Sequence, residues 1–517
     1  MKKIFISIAL ILSLLLFSCS LFEQSQSSSN ENFDPNSCSK GDFHEDENNN
    51  GKCDKCTLSV IVEFNLFVIN DFHGKLSDSE SQPGAEELSF YLKNEIMSEK
   101  NAILLSSGDM WQGGAESNLT KGIMVTEWMN ELGFEAMTLG NHEYDWGEEY
   151  IIANSEAADF PFLAINVFDK DTDERVEYCE ASVIIERAGL QIGVIGAIGD
   201  CYSSISADKT EGVYFAVGED LTNLVKAESE KLRREGADFI IYSLHDGLGN
   251  STQSDVVADG KLASYYDVSL SEGGFVDIVF EGHSHQTYEF RDTHGVYHLQ
   301  AGGDNKGITE AEIKINCANG TNAVTDADIV SNAEYKTSPK DPYFNTLNDK
   351  YADVIAKANE TLGNNPEFIR GNTLKQLVSQ LYLDTGIKVW GDQYNIALGG
   401  GYISIRSPYN LYEGEVKYSD VMMLFPFDNE IVLCSIKGSD LKYRFLETSN
   451  SDYFISLSAY GESLRASIDS DATYYVVTDT YSSQYAPNRL TVVKTYDSET
   501  FARDLLAQYI KDGNLSK

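Results

Sequence analysis

The chain is 517 residues long, 42% hydrophobic and 11% aromatic, and carries a formal net charge of -42. It is too long for one ordinary core, so two folded domains are expected, and its apolar content is that of a globular protein. The charge excludes a nucleic-acid duplex or a bare anionic membrane surface as partner, and a phosphate-bearing substrate would need local positive charge of the kind that metal ions supply.

Lys2 and Lys3 precede an apolar run from Ile4 to Phe17, shorter than the roughly 20 residues that span a bilayer. The run ends in Leu16-Phe17-Ser18-Cys19, which resembles a bacterial lipobox. A signal peptide over residues 1–18 is therefore expected, with acylation of Cys19 holding an exported protein at the cell envelope by lipid alone. Cleavage elsewhere, as an ordinary secretory signal, is the alternative.

Residues 19–57 are rich in Ser, Asn, Asp and Glu and read as a polar tether. Cys38, His44, Cys53 and Cys56 within it could form a small zinc knot or disulfides. Asp46, Asn48, Asn50 and Gly51 follow the opening of a calcium loop, but Thr57 stands where its bidentate Glu belongs.

From Leu58 onward, β-branched apolar runs alternate with helical stretches, the pattern of an α/β domain. Strands are expected at Val60 to Ile69, Ala102 to Leu105, Phe239 to Leu244 and Val276 to Phe280, and a helix at Glu219 to Arg234. Polar composition returns near Thr325 to Pro342, and one helix from Tyr343 to Leu362 reads as a connector. A second set of helices and strands follows from about Glu367. The boundaries drawn are 58–335 for the first domain, 336–362 for the connector and 363–517 for the second domain.

The polar residues suited to chemistry stand where strands end. The run before Asn70 leads to Asp71-Phe72-His73, and Ile103-Leu104-Leu105 leads to Gly108-Asp109. Ala136 to Leu139 leads to Gly140-Asn141-His142-Glu143, Ile240 to Leu244 to His245, and Val276 to Phe280 to Gly282-His283-Ser284-His285. Open α/β sheets place ligand sites at strand carboxyl ends. A single His or Asp there commonly just caps a turn, but five of the chain's eight histidines lie in these segments. Carboxylate, amide oxygen and imidazole suit zinc, manganese and iron, whereas Cys179, Cys201, Cys317 and Cys434 show no metal-like spacing.

Taken in order, Asp-x-His, Gly-Asp, Gly-Asn-His-Glu, a single His and Gly-His-x-His resemble the calcineurin-like metallophosphoesterases. Asn70-Asp71-Phe72-His73-Gly74, Gly140-Asn141-His142-Glu143-Tyr144-Asp145-Trp146-Gly147 and Gly282-His283-Ser284-His285 resemble the 5′-nucleotidase branch. The resemblance implies a four-layer α/β/β/α sandwich followed by a smaller α/β substrate-binding domain. It also implies two divalent metal ions, zinc or manganese, with iron as a further option. Asp71, His73 and His285 would hold the first ion, Asn141, His245 and His283 the second, and Asp109 would bridge them. His142 would face the phosphate and the departing oxygen as an acid, with Asp145 as its partner carboxylate.

The second domain carries the same resemblance more weakly. Arg370, Arg406, Phe427 and Tyr481 stand where the family contacts substrate, the arginines on phosphate oxygens and the two rings on a nucleobase. Departures are Leu398 in place of an Asn before Gly399-Gly400-Gly401, a lengthened Tyr402 to Ser404, and Ser482 to Asn488 in place of a Gly-Gly-Asp turn. The expected activity is metal-dependent hydrolysis of a nucleotide or another small phosphate ester. A 2′,3′-cyclic-nucleotide phosphodiesterase or nucleotide-sugar hydrolase is the alternative within catalysis, and a non-catalytic surface binding lipoprotein the alternative outside it.

Overall fold

The computed structural model describes residues 45–516 except 55–58, 79–82, 97–100, 249–265, 404, 407–409, 448–452, 486–488 and 497–499. Cys19, Cys38, His44 and Cys56 lie outside the described residues. The chain divides into two compact units. One holds the described residues up to Val62 together with Asn316–Asn319, and the other Glu63–Ile315 and Gly320–Lys517.

In the smaller unit the expected tether turns out to be folded at its end. The Asp46 carboxylate accepts the N–H groups of Asn50 (3.0 Å) and Gly51 (2.8 Å) and the Asn316 side-chain amide (3.2 Å). A short carboxylate tying its own downstream N–H groups holds the polar turn, beside a small apolar cluster of Cys53 and Val60.

The larger unit begins with two six-stranded sheets. In the first, the order is Thr321–Ser331, Gly307–Asn316, Ile61–Ile69, Ala102–Ser106, Ala136–Thr138 and Phe162–Leu163. The last four run parallel. In the second, the order is Thr287–Arg291, Tyr297–Ala301, Ile278–Glu281, Phe239–His245, Leu190–Ile198 and Ser182–Arg187, parallel at its centre and antiparallel at both edges. Ala102–Ser106 and Phe239–His245 are buried at every residue, because parallel strands are covered on both faces.

Between the sheets, the Thr138 hydroxyl donates to Ser243 at 2.7 Å and Ser107 meets the same oxygen at 2.9 Å. Helices cover the outer faces. Met124, Val125 and Trp128 of the helix Ile123–Leu132 pack in the core of the first sheet, and Leu221, Val225 and Leu232 of Glu219–Glu235 in that of the second. The four layers expected from the resemblance are thus present.

At the surface one stretch read only as polar is a strand, and one expectation, the single connector helix, fails. The polar stretch from Thr325 is part of the strand Thr321–Ser331, whose side chains are mostly exposed as on a sheet edge. The connector is two helices, Tyr343–Lys350 and Ala352–Ala358, parted at Tyr351, and Leu362 already belongs to the strand Thr361–Asn365. The break has a packing cause. Phe344 and Leu347 are buried in the core of the first sheet, whereas Ala358 and Leu362 are buried in the next core along the chain.

That second core lies under a five-stranded sheet ordered Tyr453–Leu457, Ile396–Tyr402, Thr473–Asp479, Ile431–Lys437 and Thr491–Thr495. The helix Gly371–Trp390 packs on it so closely that a Cβ at Gly399 would stand 2.3 Å from the Leu383 nitrogen. The Gly-rich segment therefore serves close helix–sheet contact at this position.

Candidate active site

Three of the five motifs leave their strands through sharply bent residues. Asp71 (φ 48°), His73 (53°), Asp109 (55°), His283 (67°) and His285 (53°) all adopt the left-handed backbone that non-glycine residues rarely take. Such conformations persist where surrounding structure holds them, and they concentrate at functional sites. Here the holding contacts are visible. The His283 N–H donates to both Asp71 oxygens (3.0 and 2.9 Å), joining motifs 212 residues apart. The His142 N–H donates to Asp109 at 2.9 Å.

These bends, with His245 at the end of its strand and Asn141 just beyond Ala136–Thr138, bring all seven expected ligand residues together. His73 Nε2 lies 2.9 Å from His285 Nε2, and Asp71 Oδ1 lies 3.8 and 3.3 Å from those two nitrogens. Asp109 Oδ2 is 3.1 Å from His245 Nε2, and Asn141 Oδ1 is 2.9 Å from His283 Nδ1. Donor atoms of Asp71, His73 and His285 all fall within 4.8 Å of one another, as do those of Asp71, Asp109 and His245.

The donors fit a pair of divalent cations. His73 Nδ1 and His245 Nδ1 face the backbone carbonyls of Gln112 (2.9 Å) and Ser107 (2.6 Å), which turns each Nε2 inward toward the other donors. Asp109 Oδ2 and His245 Nε2 are buried 3.1 Å apart with no other polar partner, an arrangement that a cation between them would satisfy. Burial would raise the Asp109 carboxyl, but the imidazoles of His245 and His142 hold it well below the usual carboxylate range. Burial, then Arg406 and His285, hold His73 well below the ordinary imidazole range. Burial and then His245 push His283 down to about 4. Both rings are accordingly neutral, the form that binds metal.

His142 differs. Its Nδ1 lies 2.7 Å from Asp145 Oδ2. Burial would lower this imidazole, yet Asp145 and Asp109 outweigh burial and raise it. It is the one imidazole of the motif set hydrogen-bonded to a carboxylate of its own loop, which suits a proton donor.

Three contributors escaped the sequence reading. Glu143 is wholly buried and accepts the N–H groups of Asp109 (2.9 Å), Met110 (2.9 Å), Trp111 (3.3 Å) and Gly140 (2.7 Å). Burial and the Asp109 charge push its carboxyl up to about 7. It ties the Asp109 bend to the Asn141 loop, and its place inside Gly-Asn-His-Glu was the available signal. Glu143→Gln removes one accepting oxygen and turns an NH₂ toward N–H donors. It is expected to lower unfolding free energy by about 2–4 kcal/mol in urea titrations.

Cys201, set aside on its spacing, is buried and places its sulfur within 4.8 Å of ring nitrogens of His245 and His283. Gln112, the third, holds His73 through its carbonyl and receives the Arg406 guanidinium on its side chain.

The substrate residues divide. Arg406 reaches the site through Gln112. Phe427 and Tyr481 line a cavity of about 510 Å³ that also includes Asn141, His142, His283, Lys121 and Trp146. The Phe427 ring centroid is 6.1 Å from that of His142, and Tyr481 stands 6.1 Å from Tyr402. Arg370 is exposed, precedes the helix Gly371–Trp390, and is not among the residues lining the cavity.

Comparison with known proteins gives a consistent result. Residues 64–287 match the calcineurin-like phosphoesterase family and residues 354–494 the 5′-nucleotidase C-terminal domain family. An apyrase of Tabanus yao is 31% identical over 240 residues, covering 44% of this chain and 40% of its own length. A 5′-nucleotidase of Vibrio cholerae serotype O1 is 30% identical over 226 residues, covering 42% of this chain and 39% of its own length. The match thus spans about 40% of those relatives. The crystal structure of a 5′-nucleotidase precursor from Thermus thermophilus superposes with a TM-score of 0.65 at 18% identity, covering 87% of this chain and 96% of that one.

Proposed function

Because residues 64–287 match the calcineurin-like phosphoesterase family and residues 354–494 the 5′-nucleotidase C-terminal domain family, we propose that the chain hydrolyses nucleotides to nucleoside and phosphate at the centre around Asp109. The carrying observation is the pairing of that donor set with a cavity lined by both His142 and Phe427. Divalent cations bound there, zinc or manganese on the donor chemistry, supply Lewis-acid activation of water and of the phosphoryl group.

The chain's own groups do the rest. Asp71, His73 and His285 would hold one ion, Asn141, His245 and His283 the other, and Asp109 would offset the charge of both. Arg406 stands over the site with its guanidinium on Gln112, where it is placed to take a phosphate oxygen. His142, kept protonated by Asp145, gives its proton to the departing oxygen. Phe427 and Tyr481 provide aromatic faces for a planar base, and Arg370 is proposed only as a peripheral phosphate contact.

Rates on AMP, 2′,3′-cyclic AMP, UDP-glucose and an aryl phosphate test this reading. A clear preference for AMP is expected. Equal rates on all four would contradict base recognition, and preference for the cyclic ester or the nucleotide sugar would reassign the substrate.

The Asp145 carboxylate is the main group raising the His142 pKa against burial. A raised imidazole keeps its proton to higher pH, so the alkaline limb of kcat lies above the ordinary histidine range. Asp145→Asn removes that support, and the limb is expected to move toward lower pH in a pH–rate profile.

Export with acylation at Cys19 belongs to the same proposal and is supported by the basic, apolar and Cys19-ending leader. Among the described residues no helix is long and apolar enough to cross a membrane. Labelling with palmitate that persists in Cys19→Ser would contradict the anchor.

A further inference from the structure

Lys121 joins the helix Ala115–Leu119 to the helix Ile123–Leu132 in a left-handed conformation, φ 51°. A residue with a Cβ is uncommon there, and the conformation is held because the Asn154 side chain donates to the Lys121 carbonyl at 2.8 Å. The bend sends the ammonium 5.2 Å from the Trp146 ring and 5.8 Å from the Tyr150 ring. Its charge partner comes from the other family domain: Lys121 Nζ lies 2.5 Å from Asp428 Oδ2.

Asp428 is shared. Its other oxygen takes the Arg503 guanidinium at 2.5 Å, and a second Arg503 nitrogen donates to the Phe427 carbonyl at 2.7 Å. On the N-terminal side of Phe427 in the chain, the Asn118 amide donates to the Pro426 carbonyl at 3.3 Å. Asn118 in turn accepts the Gly113 N–H at 2.9 Å, one residue beyond the Gln112 carbonyl that holds His73. The segment Pro426-Phe427-Asp428 is therefore fastened to the catalytic domain at both flanks of Phe427. Two cations on one largely covered carboxylate make a strong, directional fastening, and together they hold Asp428 below its usual range against burial.

We propose that Lys121, acting through Asp428 and Arg503, is a positioning residue that fixes the Phe427 ring opposite His142 and so sets selectivity for substrates bearing a planar base. The proposal rests on the nucleotide reading above. It assigns Lys121 no contact with the reacting atoms. Its effect is on where the ring stands, and therefore on binding of the base rather than on phosphate chemistry.

The test compares AMP with ribose 5-phosphate, which lacks the base. Lys121→Met is expected to raise KM for AMP more than it lowers kcat, and to cut the selectivity for AMP over ribose 5-phosphate by about tenfold, within what a stacked base contributes. Asp428→Asn should act in the same direction. Lys121→Arg, which keeps the charge and the hydrogen bond, should restore most of the selectivity. Wild-type selectivity in a Lys121→Met protein of normal melting temperature would overturn the proposal.

If the wild-type enzyme itself shows no preference for AMP, the nucleotide reading fails separately. Hydrogen exchange over residues 425–430 then decides the fastening: faster exchange there in Lys121→Met supports it, and unchanged exchange overturns it.

Discussion

Asp109→Asn is expected to abolish tight binding of at least one of the two ions and to lower kcat/KM by about 10³-fold or more. Two divalent cations about 3.5–4 Å apart repel by on the order of 18 kcal/mol at an effective dielectric of 20. An anion between them is what makes the pair tenable. Asp109 is the one carboxylate that both faces His245 at 3.1 Å and shares a donor group with Asp71. Its Oδ2 is buried with no other polar partner. An Asn at the same place offers a neutral oxygen and two N–H groups that would face the inward nitrogen of His245. Metal content after dialysis, with kcat/KM on the same sample, checks the expectation. Full occupancy of both ions with wild-type rates would contradict it.

His142→Ala is expected to keep its metals and to lose about 10²- to 10⁴-fold in kcat, the usual worth of general acid catalysis. The ring belongs to none of the groups whose donor atoms converge, and its Nδ1 is committed to Asp145. The loss should shrink for an aryl phosphate whose departing phenolate needs no proton. An equal loss on both substrates would mean that His142 stabilises the phosphoryl group instead. Retained rate on both would remove it from the mechanism.

The convergence of the seven proposed ligand residues was readable from the sequence because each motif is local to its segment. A β-branched run ending in Asp-x-His or Gly-His-x-His already states both the strand and the end at which its ligands emerge, and the parallel sheets then bring those ends together. What the sequence did not show depends on contacts between distant segments. Nothing near Cys201 marks it, yet the chain places its sulfur beside ring nitrogens of His245 and His283. Lys121 and Asp428 are 307 residues apart, and each alone reads as a surface charge.

The fold was legible to the same extent and for the same reason. Buried strands such as Phe239–His245 announced themselves by composition, whereas the edge strand Thr321–Ser331 is polar because one face meets solvent. The helix break at Tyr351 follows from two cores competing for Leu347 and Ala358, which periodicity alone does not encode. Arg370 shows the limit in the second domain. Motif position suggested a substrate contact, but the side chain is exposed and away from the cavity lining.

Anomalous diffraction from crystals grown with manganese or zinc tests the central claim most directly. Two strong peaks are expected, one among Asp71, His73 and His285 and one among Asn141, His245 and His283, with Asp109 touching both. A single peak, or peaks at other residues while this cluster stays bare, would contradict the account.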